Sequence, residues 1–351
     1  MRHSGKQMMS VLPMLPLPLL PVFLLLLLAA PAFPGEGKAE AGAILGVKLG
    51  EDQVSVFVNG KLFTCYKFGP DQKYPYFWPV NGPVSGKSVT TESSQPYPHH
   101  HSLFFGCDRV NGGNYWQEGL ERGQIVSEGP RIIEATGRRI LFTDRCFWIR
   151  PGGTPVIEDI RRITVTAPGA GKRIIDFEIT LRPLKPVTIE RTNHALFSAR
   201  VVPELSVKSG GKLVNAEGLS GEKETYGVPS PWCDYSGGRE GVVEGVAILQ
   251  HPRNRWYPAT WFTRDYGFFS PTPMFWLDGG KLELPQNGAF TLRYRVLVHA
   301  GDCAAAEVGA LFARYARAAE KMPAEEEVAS PKEDMKEETL TDPFSDFDDG
   351  G

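Results

Sequence analysis

The chain has 351 residues, 42% of them hydrophobic and 11% aromatic, and a formal net charge of −3. Residues 324–351 hold 11 Asp+Glu against Lys332 and Lys336, so the rest of the chain is mildly basic. That balance is too weak to argue for nucleic-acid binding, which needs a concentrated basic patch, so no nucleic-acid partner is expected, and the length suits one large β domain or two small ones.

The N-terminus reads as an export signal. Arg2 and Lys6 precede a leucine-rich, uncharged stretch from Val11 to Ala30, and Ala30-Pro31-Ala32 offers the small residues of a cleavage site. A membrane anchor is the rival reading, but Pro13, Pro16, Pro18 and Pro21 interrupt the run and leave only Val22 to Ala30 as apolar core. Cleavage after Ala32 is expected, giving a signal peptide at 1–32 and a periplasmic or extracellular protein. No later stretch is long and apolar enough to span a bilayer, so no integral membrane contact is expected after cleavage. Cys65, Cys107, Cys146, Cys233 and Cys303 form no CxxC pair, and an odd count leaves a thiol unpaired even where export permits disulfides. Most are expected to be buried as small hydrophobes.

From residue 43 onward the chain alternates like a β protein. Val54, Val56 and Val58 share a face, Asn59-Gly60 supplies a hairpin turn, and Leu62 to Phe68 resumes the extended pattern. Arg139–Ile149 and Pro155–Thr166 read as a second hairpin. Ile175, Phe177, Ile179 and Leu181 form one strand face, as do Leu292, Tyr294, Val296 and Val298, with Arg293, Arg295 and His299 opposite. One helix is predicted, capped by Asp302, carrying Val308, Leu311, Phe312 and Tyr315 at helical spacing and ending at Pro323. The expected fold is all-β, a large antiparallel β-sandwich over 43–322 with one C-terminal α-helix, followed by an acidic, disordered tail over 323–351.

Chemistry concentrates in Tyr97-Pro98-His99-His100-His101-Ser102. In an extended loop side chains alternate, so His99 and His101 are expected to face one way and His100 the other. His99 and His101 are therefore the candidate ligands for a divalent metal, although a catalytic zinc site usually has three protein ligands. The plainer reading is a surface loop whose histidines cap neighbouring strands. His194, in Glu190-Arg191-Thr192-Asn193-His194, is the natural third imidazole, with Glu190 on its face if that stretch is extended. A histidine near a carboxylate is the usual material for proton transfer near neutral pH; the alternative is a core histidine bonded to a carbonyl. Trp232-Cys233-Asp234-Tyr235 sets aromatics around a carboxylate, and Arg264 is a candidate clamp for a substrate carboxylate. Aromatics at this density also fill sandwich cores, and Arg264 with Asp265 also reads as a structural ion pair. Asn111-Gly112 is a turn by composition. Serine-hydrolase, zincin and phosphate-loop motifs are absent.

These motifs resemble a family. Lys73-Tyr74-Pro75-Tyr76 with Pro79 and Gly82-Pro83, then Pro98-His99-His100 with Ser102-Leu103, then Val110-Asn111-Gly112 with Trp116 keep its order. So do Trp232 to Tyr235, His251-Pro252-Arg253-Asn254, Arg264 through Pro273 and Tyr294-Arg295. Over Gly46 to Asp302 the chain is similar to the bacterial "PmoA-like" family of unknown function, also labelled methane oxygenase. A literal methane oxygenase, a multi-span membrane protein, does not fit a chain without spans after its leader. The resemblance instead implies a galactose-mutarotase-like supersandwich, and fold alone does not give function. The chain departs from the family pattern with Tyr97 before Pro98 and with Thr192-Asn193-His194-Ala195 where charged residues are usual.

The expected function is an exported carbohydrate-active enzyme using histidine acid–base or metal-assisted chemistry on a sugar or sugar acid, as an epimerase, lyase or hydrolase. His194, His99 and Asp234 are the candidate catalytic residues; His100, Arg264, Trp232, Tyr97, Asn111 and Trp116 are the candidate substrate contacts. A non-catalytic carbohydrate-binding module is the alternative, and a scaffold whose acidic tail recruits a basic partner is a third reading.

Overall fold

The computed structural model describes residues 43–322 other than Glu118, together with Met1. The expected leader over 1–32 and the acidic tail over 323–351 lie outside the described residues. The described strands and helices all fall within one unit, Glu40–Gly351.

Two antiparallel sheets make the fold, as expected. The larger has 11 strands among the described residues, and its main path runs Leu45–Leu49, Gln53–Val58, Lys61–Lys67, Tyr76–Val80, Leu103–Val110, Ala195–Arg200, Phe268–Pro271, Trp261–Arg264. The smaller has nine, along Lys212–Asn215, Trp232–Arg239, Val242–Gln250, Phe290–Ala300, Lys172–Pro183, Ile157–Gly169, Arg139–Ile149, Gln124–Ser127. The hairpins read from sequence are present. Val58 pairs with Lys61 around Asn59 and Gly60 at φ 51° and 75°, a turn whose two central residues both need positive φ. Arg139–Ile149 pairs with Ile157–Gly169 in antiparallel register.

The alternating faces account for the core. Phe105 and Phe197 of the larger sheet interleave with Phe177 and Tyr294 of the smaller, with successive ring centroids 6.2, 5.0 and 5.0 Å apart. A polar network lies in the same layer. Arg161, with no solvent exposure, donates from Nε to Asp159 at 2.8 Å and from Nη1 to the Tyr66 hydroxyl and the Pro75 carbonyl, both at 3.2 Å. Tyr66 in turn donates to Asp144 at 2.8 Å. Burial pushes the Asp144 carboxyl above its usual range, against hydrogen bonds from Ser127 and Tyr66 that favour the charged form. Such a network rewards only one juxtaposition of the sheets, because a missing partner would strand a buried charge.

On the outward face of Phe290–Ala300, Arg293 and Arg295 pair with Glu178 and Asp176, both at 2.6 Å. His299 on the same strand is instead fully buried and bonded to Asp234. The C-terminal helix spans Val308–Glu320 and seats Val308 and Leu311 against Trp232, Leu249 and Leu297. Asp302 caps a turn ahead of the helix, not the helix itself: its carboxylate accepts the Ala305 amide at 3.0 Å, and Glu307 at φ 53° intervenes before the first helical turn. A five-residue helix, Gly221–Thr225, is too short to show a sequence period. All five cysteines are free thiols, four of them buried. No helix among the described residues is long and apolar enough to cross a membrane.

Candidate functional site

The site grows from one face of the larger sheet. Leu103–Val110 and Ala195–Arg200 run antiparallel, with Gly106 opposite Leu196 and Phe104 opposite Ser198. The same pairing brings Asp108 opposite His194, where the Asp108 amide donates to the His194 carbonyl at 3.0 Å. Their side chains meet: His194 Nδ1 and Asp108 Oδ2 are 3.1 Å apart. Asp108 is only 6% exposed, and its other carboxylate oxygen has no hydrogen-bond partner among the described residues. With the Nδ1 proton held by Asp108, Nε2 carries the basic lone pair of His194.

The histidine loop lies over this face. It is not extended, which corrects the expected alternation of its side chains. The Tyr97 amide bonds the Ser94 carbonyl, the His100 amide bonds the Tyr97 carbonyl, and Ser102 takes φ 58°. These turns group His99 with His100, at 4.5 Å between ring centroids, and His99 with His194, at 6.2 Å. His101 turns aside to stack on Tyr76 at 4.9 Å, with Nδ1 bonded to the Glu92 carbonyl at 2.7 Å. His99 and His101 therefore face different neighbours and do not converge as a ligand pair. Among the described residues no group of three His, Cys, Asp or Glu side chains is placed to hold a metal ion, so no step is derived through one.

Other contacts fix the cluster. Tyr74 donates its hydroxyl to the His99 carbonyl at 2.7 Å. Trp116 is fully buried and stacks beneath His194 at 5.7 Å, so it buttresses the imidazole. Tyr97, 40% exposed, stacks over His100 at 5.3 Å. His100 is enclosed by Tyr97, Trp116 and Phe268. Burial, reinforced by His99 and Arg200, lowers its pKa to about 2, so the ring is neutral at physiological pH.

Beside the Asp108–His194 pair opens a cavity of about 300 Å³, lined by Asp108, Glu190 and His194 with Arg109, Arg122, Asn114, Gln117 and Asn193. Glu190 and His194 both line the cavity, although the strand ends at Glu190 and the stretch to His194 is not extended. This wall of carboxylates, guanidinium groups and amides is matched to a ligand rich in hydroxyls or charge.

The remaining expected residues sit elsewhere. Trp232 and Asp234 alternate onto the outward face of the smaller sheet, because Cys233 between them and Tyr235 after them face the core. There Trp232 packs under the C-terminal helix, and Asp234 bonds His299 Nε2 at 2.6 Å with both side chains fully buried. Asn111 holds its turn: its side chain donates to the Pro186 carbonyl at 3.0 Å and accepts the Thr188 amide at 2.8 Å. Arg264 pairs with Glu222 at 3.1 Å and lies 4.0 Å over Phe262. Asp265 bonds the Glu222 amide at 2.8 Å, so the expected Arg264–Asp265 ion pair is replaced by one to the short helix. Asp108 and Arg200 were not legible as site residues. Each is a buried charged position in a largely apolar strand, and only the sheet register brings it to the cluster.

No curated protein matches the chain. Solved structures resemble it at low identity. The galactose 1-epimerase of Lactobacillus acidophilus NCFM is 9% identical over 74% of this chain and 99% of that one, with a TM-score of 0.37. An aldose epimerase homologue of C. elegans is 8% identical over 75% and 99%, with a TM-score of 0.29. The α-galactosidase of Lactobacillus brevis is 8% identical over 74% and 39%, with a TM-score of 0.33. Likeness at this depth adds nothing to the chemistry, which rests on this chain's own side chains. The motifs read as PmoA-like fall inside the segment matched by a family model, and that family's description names no activity. By that match over residues 53–313, the chain belongs to the family of unknown function DUF6807.

Proposed function

We propose that this chain is an exported carbohydrate-active enzyme that moves a proton with His194, oriented by Asp108. The observation that carries the reading is the Asp108–His194 pair opening on a polar cavity of about 300 Å³. Asp108 selects the tautomer with Nε2 basic and stabilises the imidazolium that forms once a proton is taken. His99, whose ring centroid is 6.2 Å from that of His194, is the candidate partner for returning or removing a proton. A sugar carbon next to a carbonyl or carboxylate suits this chemistry. His194 Nε2 takes the proton, the electron pair delocalises onto the neighbouring oxygen, and return of a proton gives epimerisation while loss of a β-substituent gives elimination.

The test is a panel of neutral and acidic mono- and oligosaccharides incubated with the full chain in D2O and followed by NMR. Epimer formation, an unsaturated product or C–H exchange is expected, and His194→Ala should remove it while leaving sugar binding in place. Turnover that survives in His194→Ala overturns the assignment of the base. Binding without turnover of any sugar favours the non-catalytic binding module. Export is checked by the N-terminal residue of the mature protein, expected just after Ala32.

A further inference from the structure

Arg200 ends the strand Ala195–Arg200 opposite Phe268, which is in turn opposite Arg264. It is 2% exposed, and its guanidinium carbon lies 4.2 Å from the centre of the Tyr266 ring. Its Nε and Nη1 have no hydrogen-bond partner among the described residues, and none of the described carboxylates pairs with it. The nearby acids are committed elsewhere: Glu222 binds Arg264 and the Asp265 amide, and Asp265 binds the Glu222 amide. Tyr266 takes one hydrogen bond from the guanidinium, and the remaining buried N–H groups are costly unless an ordered water or a ligand completes them. Lys208, with Nζ 5.9 Å from the Tyr266 ring, adds a second positive charge to the same corner. This corner adjoins the proton-transfer cluster. Tyr97 packs at a tilt against Tyr266, with ring centroids 5.2 Å apart, and stacks on His100, and His100 contacts His99.

We propose that Arg200 is the anion-binding end of the cleft, receiving the carboxylate of a sugar acid once Tyr97, the exposed member of the stack, swings off Tyr266. The substrate class is then a uronate-type sugar, and the proposal rests on the carbohydrate reading of the site. It moves the clamp once assigned to Arg264 onto a guanidinium that no carboxylate already occupies. A carboxylate at Arg200 also acidifies the adjoining C–H only weakly while ionised, so pairing with a guanidinium is what makes that proton removable by a histidine.

The experiment titrates the full chain with galacturonate, glucuronate, galactose, glucose and acetate by calorimetry, for the unsubstituted protein and for Arg200→Gln, Arg200→Lys and Arg200→Met. Uronates are expected to bind more tightly than their neutral counterparts. Arg200→Gln should weaken uronates by about tenfold or more, the loss of one charge-assisted bond, with a partial return in Arg200→Lys. The ligand-free melting temperature of Arg200→Met should equal or exceed that of the parent, since it removes an unpaired buried cation; a clear drop would mark Arg200 as structural and overturn the proposal. Neutral and acidic sugars bound equally, with no change in Arg200→Gln, would overturn the anion site but leave the carbohydrate reading standing. Acetate bound through Arg200 with no sugar bound would do the reverse, and silence from all five ligands would overturn both.

Discussion

His194 is held by Asp108 through Nδ1 at 3.1 Å, so one carboxylate decides which ring nitrogen is available to substrate. Asp108→Asn keeps the shape but lets the amide donate to Nδ1, which favours the tautomer with the proton on Nε2. The expected loss in kcat is about 10³- to 10⁴-fold, the scale seen when a catalytic histidine is held in the wrong tautomer. His194→Ala, which removes the base itself, should cost at least as much. Steady-state kinetics on the first sugar found to turn over, with near-ultraviolet circular dichroism to verify folding, checks both. A kcat unchanged in Asp108→Asn would show that this carboxylate does not orient the base.

Much of the architecture could be read directly from side-chain periodicity. Strand faces such as Ile175 to Leu181 alternate cleanly, and Asn59-Gly60 permits few conformations other than the tight turn it adopts. The site was only half legible for the same reason. His99, His100 and His194 stand out by residue type, but the alternation rule presumed an extended loop, and backbone bonds from Ser94 to Ser102 curl it instead. Asp108 was hidden inside Leu103–Val110, where seven of eight residues are buried, and its meaning depends on a partner 86 positions away. Trp232 and Asp234 were attractive by composition, but which sheet face they occupy is set by tertiary packing.

Trp232 and Arg264 should therefore separate stability from binding. Trp232 is 7% exposed beneath the C-terminal helix, so Trp232→Ala should destabilise by about 3–5 kcal/mol while leaving sugar affinity unchanged. Arg264→Gln removes a partly exposed pair with Glu222, worth about 0–1 kcal/mol, and should also leave affinity unchanged. Urea denaturation and calorimetry on the same samples make the comparison. A tenfold loss of uronate affinity in Arg264→Gln would restore Arg264 as a substrate clamp.

His100 predicts acid sensitivity. Unfolded, it titrates near 6.5; folded, its pKa is lowered to about 2 by burial and the neighbouring His99 and Arg200. Between those values only the unfolded chain binds the proton, so stability falls as pH falls through this window, by about 1.4 kcal/mol per unit at most. His100→Phe should remove that part of the slope. Urea midpoints at pH 4, 5, 6 and 7 for both proteins test it, and identical slopes would show that His100 binds its proton equally in the folded and unfolded chains.

The buried Asp234–His299 pair has the opposite dependence. Burial of His299 works against its charged form, but the Asp234 carboxylate 2.6 Å away outweighs it, and the pKa is raised above 6.5. The folded state thus keeps a proton that the unfolded chain releases near 6.5. The pair's contribution is complete below that value and is lost as pH rises through the raised folded pKa. His299→Gln should cost about 3–5 kcal/mol at pH 6, because it leaves Asp234 charged and without its partner, and the deficit should narrow toward pH 9. Since His299 precedes the turn that launches the C-terminal helix, hydrogen exchange of Val308–Glu320 should rise in parallel with the alkaline loss. A deficit that stays constant from pH 6 to pH 9 would show that the pair is neutral throughout.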